Sequence, residues 1–250
     1  MTRPLNIAVL GAGGRMGRAV LDEINHHPNT RLAAALLAPN APRLGEAVGD
    51  ISYTSDVKAA LHNCDALIDF SHPKAAIDAA LMMYNTPCKI FISGTTGYSV
   101  TEEKALEAVA DSIVLVKSGN FSLGVCVLEA LVQQAASTLR DGWDIDVLDI
   151  HHRHKKDAPS GTALMLGAAA KRGRARANDI TRVDYASLRH GGVIGEHHVT
   201  IASEMESLTL SHAATDRAVF ARGALTAALW AAQDPARTPG LYTLHDVLGL

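Results

Sequence analysis

The densest chemistry in the sequence lies at His151-His152-Arg153-His154-Lys155-Lys156. Three histidines and three cations fall within six residues of a chain whose formal net charge is −3. An imidazole titrates near neutrality, so a histidine here can give or take a proton at pH 7. Lys155 follows His151 by four positions, a spacing that predicts a shared face at a period of 2 or of 3.6. Asp157-Ala158-Pro159-Ser160-Gly161-Thr162 comes next, ahead of the apolar run Ala163-Leu164-Met165-Leu166. Ser160 is suited to cap a helix starting there, and a helix start presents backbone N–H donors. Proton donor, cations and helix N-terminus together describe a site for a small dicarboxylate anion. A metal centre built on His151, His152 and His154 lacks a carboxylate or cysteine at a ligand spacing, so no metal is expected. The plainest alternative is a solvated charged face.

A second feature is Gly11-Ala12-Gly13-Gly14-Arg15-Met16-Gly17, between an apolar run and a helix-like segment. Glycines there allow a tight turn and close backbone approach, and the helix start attracts a pyrophosphate. Met16 stands where G-x-G-x-x-G has its third glycine, and Gly17 follows one residue later. The competing reading is a glycine turn with no ligand. In a Rossmann fold an acidic residue at the end of the second strand binds the adenosine ribose. Here that strand ends in Leu36-Leu37-Ala38, and Arg43 is the nearest cation. The choice between NADH and NADPH therefore stays open. Gly94-Thr95-Thr96-Gly97 follows another strand-like run, where ligands of α/β sheets gather. Asn120-Phe121-Ser122 falls at a change of pattern, a place for a hinge and for cofactor contacts. The pair His197-His198 lies in an alternating segment and reads as sheet and interface.

These residues need elements to hold them. Leu5–Leu10 is a short apolar run, and Met16, Val20, Leu21 and Ile24 then recur at helical spacing until Pro28. Strands are predicted at 31–37, 66–70, 89–92 and 113–116, with helices at 73–84 and 101–110. Such alternation means βαβ units and a parallel sheet. After a helix over 123–139, residues 144–150 alternate strictly between polar and apolar, as a half-exposed strand does. Segments 193–202 and 205–212 alternate too and predict an antiparallel hairpin. A helix over 217–232 and a short tail at 244–248 end the pattern. The expected fold is α/β: a Rossmann-type dinucleotide-binding domain (1–121 and 216–250) and a smaller α+β domain (122–215) with a mixed or antiparallel open-faced sheet. The second domain is assigned to substrate binding and oligomerisation.

Composition narrows the function. With 250 residues the chain can bury a substantial core. Net negative charge and 4% aromatic content argue against nucleic-acid binding. No apolar run is long enough for a membrane span. Cys64, Cys88 and Cys126 are sparse, odd in number and outside any CxxC pair, which suits reduced thiols in the cytoplasm.

Taken together the motifs resemble the dihydrodipicolinate (4-hydroxy-tetrahydrodipicolinate) reductase family of diaminopimelate and lysine biosynthesis. The resemblance rests on 11–17 (GAGGRMG), 69–73 (DFSHP), 94–97 (GTTG), 120–125 (NFSLGV), 151–162 (HHRHKKDAPSGT) and Gly195-Glu196-His197, in family order. The segment 151–162 is the most specific. The tail, with Arg217, Phe220, Ala228-Leu229-Trp230 and Asp246-Val247-Leu248, fits as well. The resemblance implies NAD(P)H-dependent reduction of a cyclic dicarboxylate with loss of water. It implies His151 as the proton donor to a carbanion-like centre, assisted by Lys155. His152, Ser160, Gly161 and Thr162 would hold the substrate carboxylates. Gly11, Ala12, Gly13, Gly14, Arg15 and Met16 would contact the dinucleotide, together with Gly94, Thr95, Thr96, Ser118, Gly119, Asn120 and Phe121. Closure about residue 120 would exclude water, and the assembly implied is a homotetramer. Two features depart from the family pattern. Leu37 and Ala38 stand where relatives often carry an acidic residue and Arg, and the segment 173–189 is shorter than in many relatives. Two other readings compete with the reductase. One is a dinucleotide-sensing binding protein, which would not need His151 and Lys155. The other is a second kind of two-domain dehydrogenase; a semialdehyde dehydrogenase would need a nucleophilic Cys, and Cys126 reads as packing.

Overall fold

The computed structural model describes residues 3–175 and 182–250. It divides into two compact units. One takes the chain up to Phe121 and again over Ala218–Gly249; the other is Ser122–Arg217. Part of the short 173–189 segment, residues 176–181, lies outside the described residues.

The first unit alternates strands and helices in chain order: β1 (Leu5–Leu10), α1 (Arg15–His26), β2 (Thr30–Leu36), β3 (Ala47–Val48), β4 (Ile51–Thr54), α2 (Val57–Asn63), β5 (Ala66–Asp69), α3 (Pro73–Met82), β6 (Ile90–Ser93), α4 (Val100–Ala110) and β7 (Val114–Lys117). Among the described residues its strands form one sheet in the order β12-β7-β6-β5-β1-β2-β4-β3, where β12 is Gly240–Tyr242. All neighbours are parallel except β3 and β4. The chain runs outward from β1 to β2 and β4, then returns to β5 on the other side of β1. The carboxyl ends of β1 and β5 therefore flank a topological switch point, where α/β sheets bind ligands. The register aligns Leu10 with Leu36 and with Asp69, and Asp69 with Ser93.

β1 is buried at every position but Asn6, which is half-buried, as suits a central parallel strand. α1 buries Gly17, Val20, Leu21 and Ile24 on one stripe. α2 and α4 are capped by Asp56 and Ser99, and Ser99 shares a capping box with Glu102. Each such cap is worth about 1 kcal/mol. Residues 218–233 form α7 (Ala218–Gln233), which packs on α1 and pairs Arg222 with Glu23 at 2.9 Å. The strands β3, β4 and β12 are additions that the sequence pattern did not predict. They are two to four residues long, too short to show a period.

The second unit holds α5 (Leu123–Thr138), β8 (Asp144–His151), α6 (Gly161–Arg174), β9 (Asp184–Arg189), β10 (Gly195–Ala202) and β11 (Ser207–Ala214). Its strand order is β11-β10-β8-β9, antiparallel except for the parallel β8–β9 pair, so the sheet is mixed. The hairpin predicted at 193–212 is present as β10 and β11. α5 and α6 cover one face. Leu128, Val132, Ala163 and Leu166 from the helices meet Ile145, Val147, Val199 and Ile201 from the strands in one core. The final helix, α8 (Leu244–Leu248), lies in the first unit. Among the described residues no helix is long and apolar enough to cross a membrane.

Candidate functional site

The glycine turn is shaped by contact. A Cβ on Gly11, which sits at φ +81°, would stand 2.6 Å from the Phe70 carbonyl oxygen, and one on Gly17 would stand 2.1 Å from the Gly11 carbonyl oxygen. Gly17 is therefore the glycine that lets α1 pack closely on the turn, which accounts for its place one residue beyond the usual spacing. Gly94 is equally constrained, because a Cβ there would meet the Phe70 ring at 2.2 Å. Around this turn lies a cavity of about 710 Å³ lined by Gly11, Gly13, Gly14, Leu37, Ala38, Arg43 and Lys74, among others. A smaller one of about 390 Å³ adjoins it, lined by Gly14, Arg15, Met16, Ser71, Gly94, Thr95 and Thr96. Two cavities sharing Gly14 at the first turn of α1 fit a dinucleotide, with its pyrophosphate at the helix start.

Not every residue expected at the dinucleotide lines this space. Ala12 is fully buried beneath it and donates its N–H to the Leu36 carbonyl at 3.1 Å. Ser118 accepts from the Asn120 N–H at 3.2 Å and donates to the Asn120 carbonyl at 2.7 Å, closing a tight turn outside both cavities. Gly119 approaches Thr96, with a built Cβ 3.9 Å from the Thr96 methyl. Phe121 is buried and meets Phe70 edge-on, ring centres 6.0 Å apart. Asp69 entered the sequence reading only as the start of the DFSHP motif, with no role assigned. It is fully buried and accepts from Ser71 N at 2.9 Å and Ser93 Oγ at 3.1 Å, while Ser71 N also donates to Thr95 Oγ1 at 3.1 Å. Burial pushes its carboxyl upward, against the hydrogen bonds from Ser71, Thr95 and Ser93. Asp69 thus ties the loops after β5 and β6 into one floor.

In the second unit the strand period does the placing. Ile145, Val147, Asp149 and His151 alternate onto the buried side of β8. β9 sets Ser187 opposite Asp149 and Arg189 opposite His151, and β10 sets His197 opposite Asp149. The result is a polar cluster at the carboxyl end of β8, capped by the start of α6. Asp149 is fully buried. Its Oδ1 accepts from His151 Nδ1 at 2.9 Å and Arg189 Nη1 at 2.7 Å. Its Oδ2 accepts from Ser187 Oγ at 2.6 Å and the Ser160 backbone N–H at 3.1 Å. Burial draws the Asp149 carboxyl upward, but the hydrogen bonds from Ser187, Arg189, Ser160 and His151 outweigh it and hold it below the usual range. His151 is lowered chiefly by burial, which the hydrogen bond to Asp149 opposes and the charges of Lys155 and Arg189 reinforce. His197, ring to ring with His151 at 5.2 Å, is lowered to about 4, mainly by burial, and is neutral at pH 7.

With Nδ1 turned to Asp149, the ring nitrogen of His151 that faces away from this carboxylate is Nε2. A Cβ on Gly195 would stand 3.1 Å from that nitrogen, so the glycine leaves it room. Lys155 lies in the turn after β8, 24% exposed, with Nζ 2.9 Å from Asp157 Oδ2. The predicted shared face of His151 and Lys155 is corrected here. β8 stops at His151, so neither strand nor helix period links the two. Ser160 is buried, and its hydroxyl accepts from Ala163 N at 3.1 Å and lies 3.2 Å from His197 Nε2. It caps α6, as expected, and brings Gly161 and Thr162 to the first turn of that helix. His152 is half-buried beside the His154 ring, centres 6.2 Å apart. A cluster with a buried acid–histidine pair, a lysine and a helix start can protonate a bound anion and hold its charge.

Comparison with known proteins agrees across both units. The family profile described as dihydrodipicolinate reductase, N-terminus, matches residues 5–121, and the one described as dihydrodipicolinate reductase, C-terminus, matches residues 124–248. The 4-hydroxy-tetrahydrodipicolinate reductase of Parvibaculum lavamentivorans is 42% identical, with 100% of each chain covered. That of Allorhizobium ampelinum is 43% identical, with 98% of each covered. A dipicolinate-bound dihydrodipicolinate reductase from Paenisporosarcina sp. TG-14 has the same fold at 18% identity, with a TM-score of 0.81 over 96% of this chain and 97% of that one.

Proposed function

Because the chain belongs to the dihydrodipicolinate reductase family, we propose that its first unit binds the dinucleotide and its second holds a cyclic dicarboxylate and protonates it from His151. The chain is an NAD(P)H-dependent oxidoreductase of diaminopimelate and lysine biosynthesis. The observation that carries the site assignment is the His151 imidazole, held through Nδ1 by a buried carboxylate with Nε2 beside the side-chain-free Gly195.

In this reading the 4-hydroxyl of the ring leaves as water together with a hydrogen of the neighbouring ring carbon, and a carbon–carbon double bond forms between the two. NAD(P)H supplies a hydride to the ring when bound. The electron pair displaced onto the neighbouring ring carbon takes a proton from His151 Nε2. Lys155 and the first-turn amides of Gly161 and Thr162 offset the two carboxylates, with His152 beside them. Ser160 acts through its backbone and its cap rather than by a free hydroxyl. Replacing His151 is the direct test: turnover should fall while the dinucleotide still binds.

Cofactor choice follows from what lies at the end of β2. Neither Leu37 nor Ala38 can accept ribose hydroxyls or pair with a 2′-phosphate. The cations lining that cavity are already engaged, Arg43 with Glu46 at 2.7 Å and Lys74 with Asp78 at 2.8 Å. Such surface pairs are weak and exchangeable. We expect kcat/KM for NADH and NADPH to differ by less than about tenfold, or roughly 1.4 kcal/mol. Leu37→Asp should move the ratio toward NADH by about tenfold or more, because a carboxylate there accepts the ribose hydroxyls and repels the phosphate. An unchanged ratio, measured with both cofactors side by side, would place the adenosine elsewhere.

The sheet face of the second unit away from α5 and α6 carries Leu148, Ile150 and the 48%-exposed Leu188. We assign this face to subunit contact in a homotetramer. Light scattering should return four times the chain mass of 26.4 kDa, and a monomer mass would refute the assignment.

A further inference from the structure

Four donors converge on a carboxylate that does not itself reach the open space of the site. We propose that Asp149 is the positioning residue of His151, and that Arg189, bound to the same carboxylate oxygen, keeps the imidazole releasable as an acid. The inference rests on the reading of His151 as proton donor.

Asp149 Oδ1 receives His151 Nδ1 at 2.9 Å and Arg189 Nη1 at 2.7 Å. Oδ2 is occupied by Ser187 Oγ at 2.6 Å and the Ser160 amide at 3.1 Å, so the carboxylate cannot turn. An imidazole donating through Nδ1 to a fixed acceptor has one tautomer and one ring plane, which leaves Nε2 to react. A lone buried carboxylate would do more than orient it. It would stabilise the imidazolium and hold back the proton. The guanidinium on the same oxygen opposes that stabilisation. Arg189 is itself fixed, donating through Nη2 to the Asp157 carbonyl at 2.7 Å and through Nη1 to the Leu188 carbonyl at 2.7 Å.

The charges facing His151 come from every strand around it. Asp149 lies on its own strand, Arg189 on β9 and the neutral His197 on β10, while Lys155 with its partner Asp157 lies in the turn leading to α6. α6 itself brings only the uncharged Ser160 start. Asp149 favours the protonated ring, and Lys155 and Arg189 disfavour it.

Two substitutions then have opposite signatures in the pH profile of kcat/KM. For an acid catalyst the rate falls above the pKa of the donor. In Asp149→Asn the ring loses its anion, and the falling limb should move to lower pH by about one unit. The plateau should drop by about tenfold or more as the ring loses its fixed plane. In Arg189→Met the limb should move to higher pH, since the opposing cation is gone. Dinucleotide affinity, a property of the first unit, should be unchanged in both. A role confined to holding β8, β9 and α6 together would lower rate or stability without moving the limbs in opposite directions. Limbs that stay at the wild-type pH in both variants would overturn the inference. Should Asp149→Asn not fold, the upward move in Arg189→Met decides alone. His151→Gln separates the two readings. If it keeps the falling limb, His151 is not the acid. If it loses the limb while the other two variants leave it unmoved, only the positioning role falls.

Discussion

His151→Gln is expected to lower kcat at neutral pH by about 10²- to 10⁴-fold, the range that a positioned proton donor contributes. That corresponds to roughly 3–5.5 kcal/mol of the barrier. Gln can still donate an amide N–H toward Asp149, so the buried carboxylate is not left without that partner, but it has no proton to deliver. The dissociation constant for NADPH should stay within about twofold, because the described residues lining the cavity around the glycine turn all belong to the first unit. Fluorescence titration of the reduced cofactor and steady-state kinetics separate the two. A variant with wild-type kcat would remove His151 from the reaction. A variant that loses the cofactor as well would mean that the substitution acts on the fold.

Lys155→Ala should show a different split. Its ammonium is a compact point cation on a flexible stem, 24% exposed and held for the present by Asp157 at 2.9 Å. Its hydrogen bond holds the Asp157 carboxyl below the usual range, as burial pulls weakly the other way. A substrate carboxylate that replaces Asp157 gains a charge-assisted hydrogen bond, worth about 1.5–3 kcal/mol. Removing the lysine should therefore raise KM for the dicarboxylate by about 10- to 100-fold and lower kcat as well, since one negative charge of the ring goes unanswered as electrons arrive. Lys155→Arg should recover part of the KM effect. Equal KM values for wild type and Lys155→Ala would show that the ammonium does not touch the substrate.

Much of this architecture was legible in the residues. The apolar runs of β1, β5, β6 and β7 and the helical spacing of α1 belong to long-established periods, and the glycine turn fell between them as a Rossmann fold requires. The alternation at 144–150 showed a strand with one buried face. The same alternation puts Asp149 on the apolar side with Ile145, Val147 and His151. A charge on the core side of an alternating strand is a signal for a buried, satisfied carboxylate. His197 stands in the same relation to Val199 and Ile201, though its alternating segment reads as sheet and interface. Arg189 and Ser187 could not be found this way. They reach Asp149 from 40 and 38 residues along the chain, through a parallel pairing that no local period announces. β9 itself reads Asp-Tyr-Ala-Ser-Leu-Arg, which mixes polar and apolar residues on each face and so shows no clean alternation. The spacing of His151 and Lys155 misled for the opposite reason: it presumed one regular element where the strand ends.

The most direct test is loss of reduced-nicotinamide absorbance in a coupled assay. A separate synthase makes the unstable hydroxylated ring from pyruvate and aspartate semialdehyde, and NADH and NADPH are run in parallel. Oxidation is expected with both cofactors, dependent on synthase and on this protein. No oxidation with either, with synthase turnover verified and the protein folded, would contradict it and favour a dinucleotide-sensing binding protein.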